Sequence, residues 1–219
     1  IWAQRFQELL DHTCRRKTLG CGRDQIIKHG KYDRLVFHRA WRLENPRLYS
    51  LYAAHRDTQV GVPPKECHAM THEIPTSAWI TDELGLRAKE RNEMLLWHGT
   101  KPDAVDIIAT EGFDERVCRL SGLFGAGVYL ADEVSKSDQY TTPTPEDDPV
   151  NGVYHIFLVR ATMGKYQSLT SGAKECRRAP AGCQSIVGQI DKNKYREYVI
   201  YDGWLAYPEF LIEYKRQYR

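Results

Sequence analysis

The placement of strand-like segments is the sequence feature that most constrains the fold. Segments that indicate strands lie at residues 32–43, 94–98, 153–162, 197–201 and 210–214, with one more through Tyr129. The first of them is long and alternates apolar with polar residues, as a half-buried strand does. Because helices do not alternate regularly with these strands, the sequence predicts an α+β fold on antiparallel sheets rather than a doubly wound fold.

The predicted helices are fewer and mostly short. Trp2, Phe6 and Leu9 have helical spacing, which predicts an amphipathic helix over residues 1–16. Asn45 can cap a second helix that begins at Pro46 and ends near residue 57. The remaining predictions are helices at 81–91, at 102–110 before Gly112, and at 132–140, a glycine-rich turn at 122–127, and a surface loop at 141–152.

Length and composition indicate one ordinary globular domain over residues 1–219. The net charge of +2, from 31 basic and 29 acidic residues, disfavours a protein that binds nucleic acid through its phosphates. No apolar run approaches the roughly 20 residues that span a bilayer. The six cysteines form no CxxC pair, which favours reduced thiols in an intracellular protein, nuclear or cytoplasmic. Because the chain begins with Ile1, we expect it to be excised from a longer protein.

Three separated motifs carry the chemical information. They are His98-Gly99-Thr100, then Gly125-Ala126-Gly127-Val128-Tyr129-Leu130-Ala131 followed by Ser135-Lys136-Ser137 and Tyr140, and finally Glu197-Tyr198-Val199-Ile200-Tyr201. Their order and spacing resemble the His-Tyr-Glu signature of the poly(ADP-ribose) polymerase catalytic domain. The resemblance extends over about four fifths of the chain and leaves residues 1–30 and parts of 57–93 unmatched.

Other segments are most similar to the tankyrase branch of that family. They are the stretch 112–116, the turn that ends at Gly127, and the stretch 206–212. Two departures stand out. Leu130 occupies a position where many members have Phe, and the loop at 141–152 contains neither the Cys nor the His of the tankyrase zinc site, so we expect no metal there.

The resemblance implies an ADP-ribosyltransferase fold, with two packed, mainly antiparallel sheets and flanking helices. It implies an enzyme that takes NAD⁺ as substrate, cleaves the nicotinamide–ribose bond, transfers ADP-ribose to protein acceptors and elongates poly(ADP-ribose). The catalytic residues would be Glu197, His98 and Tyr129. Residues 1–30 would form an N-terminal helical extension, residues 114–124 the adenosine-side loop, and residues 171–187 the acceptor-side loop.

The same resemblance assigns the NAD⁺-binding residues. They are His98, Gly99, Thr100, Tyr129, Ala131, Lys136, Ser137 and Tyr140. His98 would hold the adenine-side ribose, and the Gly99 backbone and Ser137 would bind the nicotinamide carboxamide. Tyr129 and Tyr140 would enclose the nicotinamide ring, and Glu197 would bind the 2′-hydroxyl of the nicotinamide ribose. Expected partners are acceptor proteins, including the chain itself, and nicotinamide-mimicking inhibitors, without a DNA requirement or membrane.

Several alternatives stay open or are weaker. A mono-ADP-ribosyltransferase or an NAD⁺ hydrolase would use the same fold, and a non-catalytic NAD or ADP-ribose binding module is disfavoured because His98 and Glu197 are both present. A nicotinamide-dependent dehydrogenase is disfavoured because a strand follows the glycine turn where its motif needs a helix. A zinc site at Cys67-His68 with His72, or at His12, Cys14 and Cys21, lacks complete half-sites.

Overall fold

A computed structural model describes residues 2–16, 19–20, 32–58, 60, 74–78, 83–86, 91–192 and 194–218. The helices are α1 (Trp2–His12), α2 (Pro46–Thr58), α3 (Pro75–Ala78), α4 (Pro102–Glu111) and α5 (Val134–Ser137). Short 3₁₀ turns lie at Glu115–Val117, Asp138–Tyr140 and Gly203–Leu205. The strands are β1 (Tyr32–Arg42), β2 (Glu93–Gly99), β3 (Val128–Leu130), β4 (Tyr154–Thr162), β5 (Tyr166–Leu169), β6 (Ser185–Gly188), β7 (Glu197–Ile200) and β8 (Ala206–Tyr218).

The strands form two four-stranded sheets. The long sheet has the order β1-β8-β4-β2, and all its neighbours are antiparallel. The short sheet has the order β3-β7-β6-β5, in which only the β5–β6 pair is parallel. This architecture confirms the predicted α+β fold with two mainly antiparallel sheets and flanking helices.

Apolar side chains cover both faces of the long sheet. On one face α1 packs through Phe6, Leu9 and Leu10, which are at most 4% exposed. The other face shares a core with the short sheet, to which Phe157 and Tyr198 contribute from opposite sheets. Because alternate residues of β2, β4 and β8 enter the two cores, these strands are apolar almost throughout.

Backbone hydrogen bonds join the two sheets where β2 passes the end of β3. Trp97 N donates to the carbonyl of Ala131 at 2.7 Å, and Ala131 N donates to the carbonyl of Trp97 at 3.0 Å. Both residues are almost fully buried. We call the Trp97–Ala131 bridge, together with the residues next to it in β2 and β3, the seam. It places the end of β2, which belongs to the long sheet, beside the short sheet.

Local sequence signals explain the ends of two helices. The side chain of Asn45 accepts a hydrogen bond from Leu48 N at 3.1 Å, so Asn45 caps α2 as predicted. Helix α4 ends at Gly112, whose φ of 83° lies in the left-handed region that favours glycine. Both predictions are confirmed. Trp2, in contrast, is 47% exposed and does not join the core that Phe6 enters.

Several predicted boundaries need correction. Irregularities in the β1–β8 pairing near Arg34 and Arg39 interrupt the alternation of β1, so Trp41 is 41% exposed instead of buried. The last strand extends over 206–218 because it pairs with both β1 and β4. The predicted helix at 132–140 begins as α5 at Val134 and continues as a 3₁₀ turn.

Two strands were missed. Residues 185–187, assigned to the acceptor-side loop, lie in β6, and β5 was not predicted at all. Most of the predicted helix at 81–91 lies outside the described residues, and residues 83–85 form a turn.

Candidate active site

His98 lies in β2, directly beside the seam. Its Nδ1 is 2.9 Å from the carbonyl oxygen of Tyr129. A carbonyl oxygen only accepts, so Nδ1 carries the proton and donates, which leaves Nε2 of the neutral ring as an acceptor. Burial lowers the pKa of His98, although the hydrogen bond to Tyr129 acts in the opposite direction. The ring is therefore neutral near pH 7 and can accept a hydrogen bond from a hydroxyl group.

Gly99 ends β2 where α5 packs against it. A Cβ atom at this position would overlap the backbone carbonyl of Ser137. The Ser137 hydroxyl in turn donates to the carbonyl of Trp97 at 3.0 Å. Glycine is thus required at position 99 for the close packing of α5 on β2. This structural requirement adds to the predicted contact of the Gly99 backbone with the ligand. Thr100 follows, half-buried, at the end of the strand.

Tyr129 projects from β3 and is fixed through its hydroxyl. This group accepts a hydrogen bond from Phe124 N at 2.8 Å and donates to the carbonyl of Gly125 at 2.9 Å. The ring is half-buried, so part of it remains accessible. The turn at 122–127 therefore fixes the tilt of the Tyr129 ring, while β3 fixes its position. Ala131, also predicted as a site residue, is buried in the seam.

Lys136, Tyr140 and Glu197 form one hydrogen-bonded group. Lys136 Nζ lies 3.1 Å from Glu197 Oε1 and donates to the hydroxyl of Tyr140 at 2.9 Å. Burial disfavours the charged amine, but the attraction of Glu197 and the bonds to Tyr140 outweigh it and raise the pKa of Lys136. Glu197 begins β7 and is 9% exposed, whereas Tyr140 is 42% exposed. The predicted carboxylate thus lies against a cation, beside a tyrosine ring that is partly exposed.

Asp138 was missed by the sequence analysis as a site-supporting residue. It is 1% exposed and accepts a hydrogen bond from the hydroxyl of Tyr214 at 2.5 Å. Arg216 Nε also donates to it at 3.0 Å, and the hydroxyl of Tyr32 is a third donor. These partners lie on β1 and β8, so no local pattern around Asp138 could have identified them. The group anchors the chain between Ser137 and Tyr140 to the long sheet.

Metal ligands do not cluster in the part of the chain that the structure describes. No group of three or more His, Cys, Asp or Glu side chains is placed to hold an ion among those residues. Cys21, Cys67, His68 and His72, from the two zinc alternatives, lie outside them. The absence of a metal stays a prediction. None of the described helices is long and apolar enough to cross a membrane.

The two-sheet fold agrees with the fold that the motif resemblance implied. The profile of the poly(ADP-ribose) polymerase catalytic domain family matches residues 69–194, more than half of the chain. The chain therefore belongs to that family. The matched range includes His98 and Tyr129 and ends shortly before Glu197.

Similarity to individual relatives covers only parts of both chains. Protein mono-ADP-ribosyltransferase PARP12 of Mus musculus is 30% identical over 132 residues, which is 58% of this chain and 17% of the relative. Poly [ADP-ribose] polymerase tankyrase of Caenorhabditis elegans is 33% identical over 81 residues, 36% of this chain and 3% of the relative. Protein mono-ADP-ribosyltransferase PARP11 of Homo sapiens is 27% identical over 147 residues, which is 56% of this chain and 41% of the relative.

These relatives confirm the family and leave the branch open. The chain spans less than half the length of each of them. Two are named as mono-ADP-ribosyltransferases and one as a tankyrase, so the expected likeness to the tankyrase branch gains no specific support.

Proposed function

We propose that this chain transfers ADP-ribose from NAD⁺ to protein acceptors and elongates the product into poly(ADP-ribose). The observation that carries the proposal is the convergence at the seam. There the Lys136–Glu197 ion pair, with an N–O distance of 3.1 Å, lies near Tyr129, whose backbone carbonyl accepts the hydrogen bond of His98. Predicted site residues from both sheets and from α5 thus come together at the seam.

The NAD⁺ molecule would be held mainly by fixed groups. His98 Nε2 would accept a hydrogen bond from a hydroxyl of the adenine-side ribose, since Nδ1 is occupied by the Tyr129 carbonyl. The rings of Tyr129 and Tyr140 would enclose the nicotinamide, and the Gly99 backbone would bind its carboxamide. Ser137 donates to Trp97 in the structure, so it would either accept from the carboxamide or turn its hydroxyl toward it.

Glu197 would act on the ribose during bond cleavage. The bond between C1′ and the nicotinamide nitrogen breaks, and its electron pair leaves with nicotinamide. The acceptor's nucleophilic atom then forms the new bond to C1′ and releases its proton. A carboxylate that binds the 2′-hydroxyl stabilises the positive charge that develops on the ribose. Lys136 would hold this carboxylate in place until the ribose hydroxyl arrives.

The nature of the product is the finer part of the proposal. Glutamate at position 197 resembles the polymer-forming branch, which supports chain elongation. It is necessary rather than sufficient for elongation, and the mono-ADP-ribosyltransferases among the relatives support single addition as the second candidate. We further propose the tankyrase-like branch from its motifs, with an adenosine-side loop at 114–124 and an acceptor-side loop at 171–187 whose last residues lie in β6. The proposal includes no DNA requirement and action in the nucleus or cytoplasm.

Glu197→Gln tests the chemistry. The substitution keeps the size of the side chain and removes its charge, so we expect NAD⁺ binding to persist while turnover falls by at least ~100-fold. Glu146→Gln, in an exposed loop, is the matched control and should leave turnover unchanged. Binding is measured by calorimetry, and turnover by release of nicotinamide. Near-normal turnover in a folded Glu197→Gln protein would contradict the mechanism.

Labelled NAD⁺ identifies the product. On a denaturing gel a ladder shows polymer, a single shifted band shows one addition, and free ADP-ribose shows hydrolysis. A benzamide-type compound at 100 times its dissociation constant should also stabilise the fold by roughly 2.7 kcal/mol. If saturating compound produces no thermal shift and the protein releases no nicotinamide, the chain is not an ADP-ribosyltransferase.

A further inference from the structure

We infer that Arg15 is a positioning residue for the Lys136–Glu197 pair. The inference rests on the proposed function. Arg15 lies outside residues 69–194, which match the family profile, and it belongs to the N-terminal stretch that the motif resemblance left unmatched. Its side chain nevertheless contacts both segments that carry the pair.

One of these segments is the start of α5. Arg15 Nε donates to Glu133 Oε2 at 2.8 Å, and its Nη2 donates to the other carboxylate oxygen, so the contact is two-pronged. Glu133 directly precedes α5, and Lys136 lies within that helix. The orientation of the guanidinium is therefore coupled to the first turn of the helix that carries Lys136.

The other segment leads into β7. The guanidinium carbon of Arg15 lies 4.6 Å from the ring centroid of Tyr195, which is a cation–π distance. Tyr195 precedes Glu197 by two residues, and β7 begins at Glu197. Arg15 thus touches the approach to Lys136 on one side and the approach to Glu197 on the other.

Backbone contacts fix the position from which Arg15 reaches. Arg15 N donates to the Ser135 hydroxyl at 3.0 Å, and the carbonyl of Thr13 accepts from Val134 N at 3.1 Å. The Thr13 hydroxyl also accepts from Trp97 Nε1 at 3.1 Å, which connects this turn to the seam. The segment that follows α1 is therefore hydrogen-bonded to α5 through uncharged groups alone.

A direct ion pair joins the same two segments. Arg196 Nη1 donates to Asp132 Oδ2 at 2.9 Å. With Arg15 between Glu133 and Tyr195, and Lys136 on Glu197, three charged contacts connect residues 132–136 with 195–197. The Arg196–Asp132 ion pair and the contacts of Arg15 set the distance between these two segments. Lys136 can reach Glu197 at hydrogen-bond distance only when that distance is kept.

Arg5, on α1, provides a matched control from the same N-terminal region. It also combines an ion pair, 3.0 Å to Glu83, with a cation–π contact, 5.7 Å to Trp2, and it touches neither segment. We expect Arg15→Gln to lower kcat for NAD⁺ cleavage roughly tenfold with little change in KM, because misplaced groups cost turnover more than binding. Arg5→Gln should leave kcat and KM unchanged. Arg15→Lys, which keeps the charge without the two-pronged contact, should fall between.

A double-mutant cycle separates positioning from general destabilisation. In a Lys136→Met background the pair no longer exists, so Arg15→Gln should cause far less than its tenfold loss. An equal loss in both backgrounds would overturn the inference. So would an unchanged kcat in Arg15→Gln, or a loss of activity that follows the fraction of unfolded protein measured by circular dichroism in the same buffer.

The reactivity of Lys136 gives a readout that needs no enzyme activity. Acetic anhydride modifies the neutral form of the Lys136 amine. The contact with Glu197 favours the charged form and therefore slows this modification. We expect Lys136 to be acetylated several-fold faster in Arg15→Gln than in Arg5→Gln, as measured by mass spectrometry of the Lys136 peptide. Equal rates would overturn the positioning role. Faster acetylation in a protein that never cleaves NAD⁺ would support the positioning role of Arg15 while refuting the proposed function.

Discussion

The long and the short sheet differ in what holds them and in what they carry. Strands β1 and β8 of the long sheet have 11 and 13 residues, whereas no strand of the short sheet exceeds 4. Tyr129 and Glu197 nevertheless lie on the short sheet, and only His98 lies on the long one. The long sheet therefore supplies most of the extended pairing that stabilises the fold, while the predicted catalytic residues lie where the short sheet is attached to it.

Their buried charges differ in the same way. Within the long sheet, Arg160 bonds Glu209 at 2.9 Å and Glu93 at 3.4 Å, and these three side chains are at most 2% exposed. The Lys136–Glu197 pair at the seam is 16% and 12% exposed. The first group is closed to ligands, and the second remains within reach of one. Glu209 and Glu93 therefore belong to the structural group.

The largest expected effect is on the long sheet. Arg160→Met removes the cation that Glu209 and Glu93 share and leaves each carboxylate with one arginine, Arg42 and Arg56 respectively. The loss should therefore approach the roughly 3–5 kcal/mol of unfolding free energy that breaking a buried pair costs. Urea denaturation measures the loss. Arg47→Met removes a pair in which both side chains are more than 60% exposed, so it should cost at most about 1 kcal/mol. Similar losses in the two variants would contradict the assignment of stability to the buried group.

A smaller effect is expected at the seam. Gly99→Ala places a methyl group against the Ser137 carbonyl, and such overpacking costs about 1–3 kcal/mol. Because α5 must move, benzamide-type compounds should also lose most of their affinity, as calorimetry would show. Gly182→Ala meets no atom within 4 Å and is strained only by its φ of 75°, so it should leave binding intact. Intact binding in Gly99→Ala would show that the seam tolerates displacement.

The two sheets also differ in how far sequence could predict them. The strands of the long sheet are apolar over many residues, so β2, β4 and part of β8 were predicted. In β5 the residues Tyr166 to Leu169 are half-buried or exposed, and the strand exists because β6 pairs with it. A segment of four residues carries too little periodicity to reveal a partner that is distant in the chain.

The site shows a similar division. His98, Tyr129 and Glu197 were identified through motifs, and the structure brings their strands together at the seam. Lys136 was predicted as a ligand contact, but its ion pair with Glu197 depends on where the packing of α5 on β2 places it relative to β7. The partners of Asp138 lie on β1 and β8, and Arg15 contacts the site from the segment that follows α1. Contacts between distant segments of this kind leave no pattern in either segment alone.

The smallest expected effect is the pH dependence that His98 adds to stability. Burial lowers its pKa in the folded protein below the ordinary value of 6.5, which the unfolded chain keeps. As pH falls below about 6.5, the unfolded state binds the proton first, so folding stability falls by at most about 1.4 kcal/mol per pH unit until the folded pKa is reached. Above 6.5 the contribution is constant.

His98→Gln removes this titration while its amide can still donate to the Tyr129 carbonyl. We therefore expect its unfolding free energy to depend less on pH between 7.5 and 5 than that of the wild type. His38→Gln, which replaces an exposed ring on β1, should behave as the wild type does. The unfolding free energy is obtained from urea curves at each pH. Parallel wild-type and His98→Gln curves would mean that the imidazole is solvated at the seam, and the assignment of a buried, neutral His98 ring would then be wrong.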